Sequence, residues 1–245
     1  MDQGRLEQKI ADAARHFWEA RSRQRERQGA SSGIRDAGER SAVTGGAQMD
    51  GFAAILHDLV VEVGFPENGI ERRRTTLPGW FRAEMAWDLV LLYRGRLVAA
   101  IELKSHVGPS FGNNFNNRTE ESLGSATDLW ASFREGAFAP GARPWLGFLM
   151  FVEDCPSVRR PVKALEPHFP VFAEFNGASY ADRYQTLMTK LVRERLYDGA
   201  CLLLSPPGAS EVREPSAELS FARFVESLLS RALGALRAPG EERGE

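Results

Sequence analysis

Cysteine and histidine are scarce in this sequence of 245 residues. Its two cysteines, Cys155 and Cys201, are too few for a disulfide framework or a cysteine-only zinc site, and we expect both to behave as small core residues. The four histidines show none of the spacings of metal-ligand motifs. No Gly-Lys-Ser or Gly-Lys-Thr phosphate loop occurs, which argues against ATP-driven chemistry.

An excess of charge of one sign is also lacking. The chain has 31 Lys and Arg against 33 Asp and Glu, for a net charge of −2. This balance is not the pattern of a strongly basic nucleic-acid binder, but a local basic face would still be sufficient to contact phosphates. No apolar run is long enough to cross a membrane, and none near the start of the sequence is typical of a signal segment. We therefore expect a soluble cytoplasmic protein without membrane contact.

Two apolar runs, residues 83–93 and 97–104, form the most informative stretch of the sequence. They flank the break Arg94-Gly95-Arg96, which predicts a β-hairpin buried on both faces. If the strands pair symmetrically about Gly95, Asp88 lies opposite Glu102.

Lys104 then shares the sheet face of Glu102, because side chains alternate along a strand. Two carboxylates on directly opposed strand residues repel by about 3 kcal/mol, and one lysine offsets only part of this repulsion. A divalent cation between them would explain the arrangement. An ordinary ion pair at a sheet end is the alternative, since a shift of one residue in the turn would separate the two carboxylates.

The remaining patterns predict an α/β fold with a central mixed β-sheet flanked by helices, because a strand hairpin is followed by a helix and another strand. We expect further strands at residues 145–152 and 200–204, and helices at 5–28, 49–64, 119–135, 180–197 and 216–236. Three regions follow: an N-terminal helix and flexible linker at 1–48, the main domain at 49–238 and a disordered tail at 239–245. The last helix carries more apolar residues than one face requires, which makes it a candidate contact between two subunits.

Two polar clusters flank the hairpin. The first is Arg72-Arg73-Arg74, and the second is a predicted Gly-, Ser- and Asn-rich loop over residues 105–118 that contains Asn113, Asn114, Asn116, Asn117 and Arg118. A solvated arginine run and asparagines that favour turns are the plain interpretation. Arginine also contacts DNA phosphates, and asparagine can bond both major-groove edge atoms of adenine. We therefore take both clusters as candidate DNA contacts.

Asp88, with Glu102-Leu103-Lys104 on the next strand, resembles the metal site of the PD-(D/E)xK nucleases. The segment from Ser105 to Glu121 is similar to the XhoI-type restriction endonucleases, and this likeness extends over nearly the whole chain. The resemblance implies the PD-(D/E)xK core fold, with Asp88, Glu102 and Lys104 as catalytic residues. Trp87 stands where the general pattern has a proline, which is often missing in this superfamily.

The resemblance further implies that Mg²⁺ binds Asp88, Glu102 and the backbone carbonyl of Leu103. Nucleases of this superfamily often receive another acidic residue from the helix before the hairpin. Glu62 is our candidate for that residue, with Asp50 and Asp58 as competitors.

In function, the resemblance implies a type II restriction endonuclease that acts on double-stranded DNA as a homodimer. It would cut the palindrome CTCGAG after the first C, leave 5′ overhangs and be paired functionally with a cognate DNA methyltransferase. One alternative is a DNA repair or recombination nuclease of the same fold that recognises DNA structure. Another is a DNA-binding module with a degenerate site, and the intact set of Asp88, Glu102 and Lys104 counts against it.

Overall fold

The computed structural model describes residues 3–30 and 40–238, with side chains from 3–24 and 48–238. Its helices are α1 (Gln3–Ala30), α2 (Arg40–Glu62), α3 (Phe111–Arg134), α4 (Pro156–Arg159), α5 (Tyr180–Arg193) and α6 (Phe221–Arg237). Its strands are β1 (Ile70–Glu71), β2 (Thr76–Pro78), β3 (Glu84–Ala86), β4 (Leu89–Tyr93), β5 (Arg96–His106), β6 (Trp145–Glu153) and β7 (Gly199–Ser205). Five strands form a sheet in the order β1-β4-β5-β6-β7, and β2 pairs with β3 separately.

The predicted mixed sheet is confirmed, with β5 at its centre. β5 pairs antiparallel with β4 and parallel with β6, and β6 pairs parallel with β7. One face of the sheet packs on α1, α2 and α6, and the other packs on α3 and α5. We call these the α1/α2/α6 face and the α3/α5 face. Because both faces are covered, the central strands are apolar on both sides, as the hairpin sequence predicts.

The turn between β4 and β5 differs from the predicted one, yet the pairing at the functional end is as predicted. Tyr93 pairs with Arg96, so the turn contains only Arg94 and Gly95, both with positive φ, as hairpin turns of two residues require. A shift in register between Leu91 and Leu92 then adds one residue on β5.

The extra residue is Val98, because Val98 and Ala99 both lie in the core on the α1/α2/α6 face instead of alternating. Beyond this bulge Leu89 pairs with Ile101, which places Asp88 next to Glu102.

The predicted strand over residues 83–93 is wrong as a single element. It breaks at Trp87 and Asp88, so that β3 joins β2 while β4 joins the main sheet. The Trp87 amide donates to the Thr75 carbonyl at 3.2 Å, and the Asp88 amide donates to the Ile101 carbonyl at 3.0 Å. Asp88 therefore stands where the chain passes from one sheet to the other.

The predicted loop over residues 105–118 is also wrong, because β5 extends to His106 and α3 begins at Phe111. The asparagines thus lie in the first turns of a helix. Phe111 and Phe115 contact Tyr180, which overrides the low helix propensity of asparagine. Thr119 does not cap the helix as predicted, and its hydroxyl donates to the Phe115 carbonyl one turn earlier.

The N-terminal helix packs into the main core. Phe17 is fully buried, and its ring lies 4.4 Å from that of Phe151 on β6. The predicted linker is helical from Arg40, and the predicted division at residues 48 and 49 falls inside α2, so it stays a prediction about folding units. Residues 31–39 of that linker and the predicted tail at 239–245 lie outside the described part of the chain.

Helix α6 packs much of its apolar surface into the core of its own chain, and its predicted contact with a second subunit stays a prediction. Its residues Phe221, Phe224, Val225 and Leu228 are buried in the core, and Leu229 and Leu236 pack against that core. Cys155 and Cys201 are unpaired, as expected. Over residues 3–30 and 40–238, no helix is both long and apolar enough to cross a membrane.

The hairpin turn generates a test of the fold. Gly95 has a φ of 74° and open space around its Cβ position, so Gly95→Ala introduces backbone strain without a clash. We expect a loss of about 1–2 kcal/mol in the free energy of unfolding. Gly124, inside α3, also has open space, and Gly124→Ala should add about 0.5–1 kcal/mol. Urea unfolding measures both, and equal signs for the two variants would contradict the turn geometry.

Candidate active site

Asp88 occupies the break before β4, beside Leu103 of β5. Its carboxylate accepts a hydrogen bond of 2.6 Å from the Leu103 amide of β5. Burial raises the pKa of Asp88, and the bond from Leu103 and the charge of Lys104 offset part of this. The carboxylate is therefore fixed against β5 at the position of the Glu102-Leu103-Lys104 run.

Glu102 is the most constrained charge of the group, with only 4% of its surface exposed. One carboxylate oxygen forms an ion pair with Lys104, while the other is buried and has no hydrogen-bond partner among the described residues. Burial raises the pKa of Glu102 to about 7, with Lys104 acting in the opposite direction and Asp88 in the same direction. This buried oxygen is therefore free to accept a bond from a bound ligand.

Lys104 is half-buried beside Glu102. Burial lowers the pKa of a lysine, but the charge of Glu102, the bond to it and the charge of Asp88 leave the pKa of Lys104 raised. Lys104 is therefore a persistent cation, and its ammonium stays next to the two carboxylates.

The donor set fits a hard divalent cation bound by few protein groups. Across the described part of the chain, no group of three or more His, Cys, Asp or Glu side chains is arranged to hold a metal ion. The N–H and C=O of one strand residue point to the same side, so the Leu103 carbonyl faces the side on which its amide meets Asp88. Two carboxylates and a carbonyl suit Mg²⁺, which retains several waters and often binds substrate phosphate.

Glu62, the predicted additional acidic residue, has other partners. Arg5 donates to its carboxylate at 2.8 Å, and Lys9 lies 3.7 Å from it. The acid of α2 whose charge raises the pKa of Asp88 is Asp50. Glu62 lies twelve residues further along the helix, about 18 Å along its axis. Asp50, one of the two competitors in the sequence, is thus the better candidate.

The five predicted contacts on α3 separate by exposure. Asn113, Asn116 and Asn117 are exposed, while Asn114 and Arg118 are half-buried. Spacings of three and four residues place the exposed amides on one helix face, away from the side that packs on α5. Arg118 forms an ion pair with Glu121, whose charge also acts on Glu102 and Lys104. The start of α3 therefore borders the Glu102 site.

The arginine run lies between β1 and β2. Arg72 donates to the Asp50 carbonyl at 3.3 Å, and Arg74 lies 3.2 Å from the carboxylate of Glu71. Arg73 is exposed and has no ion-pair partner within the described residues. The run is thus near α2 and leads directly into the β2–β3 hairpin.

Sequence reasoning missed a buried polar contact beside the site. His106, which we considered a loop residue, ends β5, and its Nδ1 lies 2.5 Å from the Tyr184 hydroxyl. Burial lowers the pKa of His106 to about 4, and the charge of Arg118 acts in the same direction. The ring is therefore neutral near pH 7. The only indication in the sequence was the spacing of two residues from Lys104, which would place His106 on the same side of the strand.

A mixed sheet with an aspartate before one strand, and a glutamate and lysine on the adjacent central strand, defines the class of restriction-endonuclease-like nucleases. The chain belongs to the XhoI restriction endonuclease family, whose model, described as "Restriction endonuclease XhoI", matches residues 27–216. Membership makes it a type II restriction endonuclease with DNA as substrate, and enzymes of this class generally use divalent metal ions.

Three curated relatives agree with this assignment. Type II restriction enzyme BstVI of Geobacillus stearothermophilus is 52% identical over 205 residues, which cover 80% of this chain and 92% of the relative. Type II restriction enzyme XhoI of Xanthomonas vasicola is 47% identical, covering 72% and 71% respectively. Type II restriction enzyme AbrI of Azospirillum brasilense is 46% identical, covering 66% and 73%. No solved structure gives a significant match.

The buried glutamate predicts an unusual pH dependence of stability. Because the pKa of Glu102 is about 7 in the folded protein against 4.5 ordinarily, the folded state retains a proton that the unfolded state releases. In EDTA, the contribution of Glu102 to the free energy of unfolding should therefore fall as pH rises from about 4.5 to 7. Glu102→Gln should remove this component. Urea unfolding across the pH range measures this component of the free energy of unfolding. Parallel plots of that free energy against pH for the unaltered protein and Glu102→Gln would contradict the prediction.

Proposed function

We propose that this type II restriction endonuclease makes Mg²⁺-dependent double-strand cuts at the palindrome CTCGAG, leaves 5′ overhangs and works as a homodimer. The observation that carries the chemical part is the buried Glu102 oxygen, which has no hydrogen-bond partner among the described residues, on a carboxylate that pairs with Lys104 and feels the charge of Asp88. The recognition site and overhang rest on the resemblance to the XhoI-type enzymes alone. A cognate DNA methyltransferase would protect the host DNA at the same site.

Each residue of the site has a distinct proposed role. Asp88, Glu102 and the Leu103 carbonyl would hold Mg²⁺, with Asp50 as a further acidic residue close to Asp88. When bound, Mg²⁺ activates a water and stabilises negative charge on the phosphate. Lys104 would orient that water or bind the attacked phosphate, since its ammonium is fixed by Glu102 and stays protonated. His106 would supply no proton near pH 7, because its ring is already neutral.

The proposed DNA contacts surround this site. The exposed face of α3 formed by Asn113, Asn116 and Asn117 fits the major groove, where asparagine recognises adenine. Asn114 and Arg118 would support that helix at the border of the site. Arg72, Arg73 and Arg74 would contact phosphates. Loss of a phosphate contact should weaken binding to all sequences alike, whereas loss of a base contact should reduce the preference for the site.

Plasmid cleavage tests the function directly. With Mg²⁺, we expect discrete fragments whose ends map to CTCGAG and carry 5′ overhangs. Lys104→Ala should abolish cleavage and leave binding to the site largely intact, because Lys104 acts in the chemical step. Lys163→Ala, which removes an exposed lysine, is the matched control and should cut normally.

Other outcomes separate the alternatives. Cleavage that follows DNA structure and not sequence would favour a repair or recombination nuclease. A fully active Lys104→Ala variant with Mg²⁺ in excess would contradict the assigned catalytic residue. Thermal unfolding with and without Mg²⁺ gives an independent measure of the metal, because an ion that binds only the folded state raises the transition temperature. That rise should be absent in Asp88→Asn.

The palindrome is the reason for the proposed dimer. Two identical half-sites present the same groups to two identical subunits, and a two-fold dimer brings one catalytic set to each strand. Each lost base-pair contact typically costs about 1–3 kcal/mol, so one subunit on a half-site would discriminate poorly.

Sedimentation with a CTCGAG duplex measures the assembly. In Ca²⁺, which we expect to support binding without efficient cutting, the complex should contain two chains per duplex. A duplex of scrambled sequence is the control and should not yield this species at the same concentration. One chain per duplex that cuts both strands in a single event would contradict the dimer.

A further inference from the structure

A buried aspartate fixes the tip of the β2–β3 hairpin. Asp128 of α3 is 2% exposed, and its carboxylate accepts hydrogen bonds of 2.8 Å from the Trp80 and Phe81 amides. Arg82 Nε donates to the other oxygen at 2.7 Å. A Cβ on Gly79 would lie 2.5 Å from the Arg82 carbonyl and 2.7 Å from the Asp128 carboxylate. These contacts therefore hold the tip against α3.

This rigid tip displays two adjacent aromatic side chains to solvent. Trp80 is 54% exposed and Phe81 is 73% exposed. Aromatic side chains normally bury their apolar surface. Here a buried charge holds the turn in a conformation that keeps both rings outside the core. The arrangement suits a surface that contacts a partner.

The exposed area is too small for a stable contact between subunits. Each ring system offers at most about 250 Å², so the exposed parts of Trp80 and Phe81 amount to roughly 300 Å². A stable protein interface needs about 800 Å² from each partner. The sequence around the rings is Pro78-Gly79 on one side and Arg82-Ala83-Glu84 on the other, which adds no apolar side chain of similar size.

The position of the tip favours DNA as the partner. β3 leads through Trp87 to Asp88, so Phe81 is seven residues from the site. Seven extended residues span at most about 23 Å, which is about seven base pairs of duplex. The hairpin is also preceded by the exposed run Arg72-Arg73-Arg74. A duplex bound at Asp88 is therefore at most about 23 Å from Phe81.

We propose that Trp80 and Phe81 form a wedge that enters the DNA duplex and unstacks a base step within or beside the cleaved site. Apolar side chains inserted in this way kink DNA and bring more of the duplex against the protein. Asp128 is then a positioning residue, since it acts only through the turn. This inference rests on the proposed cleavage of double-stranded DNA.

Fluorescence of 2-aminopurine tests the wedge, because its emission rises when the base is unstacked. The base is placed at successive positions through a CTCGAG duplex, and the protein binds in Ca²⁺. We expect a severalfold rise confined to one step of each half-site, because the proposed dimer carries one wedge in each subunit. The double variant Trp80→Ala with Phe81→Ala should lose this rise and bind about 10-fold to 100-fold more weakly. The matched control, Leu165→Ala with Phe169→Ala, removes two apolar side chains that are 84% and 83% exposed and should retain the rise.

Substitutions of Asp128 test the positioning role. Asp128→Asn keeps an oxygen that accepts from the Trp80 and Phe81 amides, so it should retain most of the fluorescence rise. Asp128→Ala removes both bonds and should lose the rise, although both rings are present. If Asp128 has a purely structural role, its substitution should lower the unfolding temperature, and Asp128→Asn and Asp128→Ala should give the same fluorescence rise.

The possible failures are distinguishable. Tight binding and cleavage without a rise at any position would overturn the wedge and leave the proposed function intact. If the double variant of Trp80 and Phe81 no longer forms the dimer in sedimentation while unstacking is unchanged, the tip is a contact between subunits. Absence of both binding and cleavage in the unaltered protein would overturn the proposed function, and the wedge with it.

Discussion

The site depends on one constraint, the burial of two carboxylates next to each other with a single lysine. One oxygen of Glu102 is buried and has no hydrogen-bond partner among the described residues, and the ion pair with Lys104 is made by the other oxygen. Burying these two carboxylates is unfavourable, but the pairing of β4 with β5 keeps Asp88 and Glu102 next to each other. Such a site is poorly satisfied alone and well satisfied by a divalent cation.

The sequence predicted the facing of Asp88 and Glu102 correctly because an error in turn length and a missed bulge cancelled each other. We expected a three-residue break centred on Gly95, and the protein has a two-residue turn followed by a bulge at Val98. Each difference alone would place Asp88 on the wrong face, and together they restore the expected facing. Period-two alternation specifies which residues share a face, but turn length and bulges depend on packing against α2 and α6, which the local sequence does not reveal.

The misplaced elements share a cause, since tertiary contacts overrode local preference. Four asparagines favour a loop, yet Phe111 and Phe115 meet Tyr180 of a helix that follows much later in the chain. The sequence favoured Glu62 over Asp50 as the additional acid, and the partners of the two side chains in the folded chain favour Asp50. The mixed character of the sheet and the facing of Asp88, Glu102 and Lys104 were predictable from periodicity and one motif, whereas the strand order was not. The Asp128 contact joins residues 46 to 48 positions apart and left no local pattern.

The packing of α1 shows that the folded unit and the range matched by the family model have different boundaries. The family match begins at residue 27, but Phe17 and Trp18 are already part of the core against Phe151. α6, which covers the same sheet face, lies beyond the end of the match at residue 216. A fragment limited to the matched range would expose an apolar sheet surface to water. We therefore expect the smallest stably folded unit of this enzyme to be larger than the range that the family model matches.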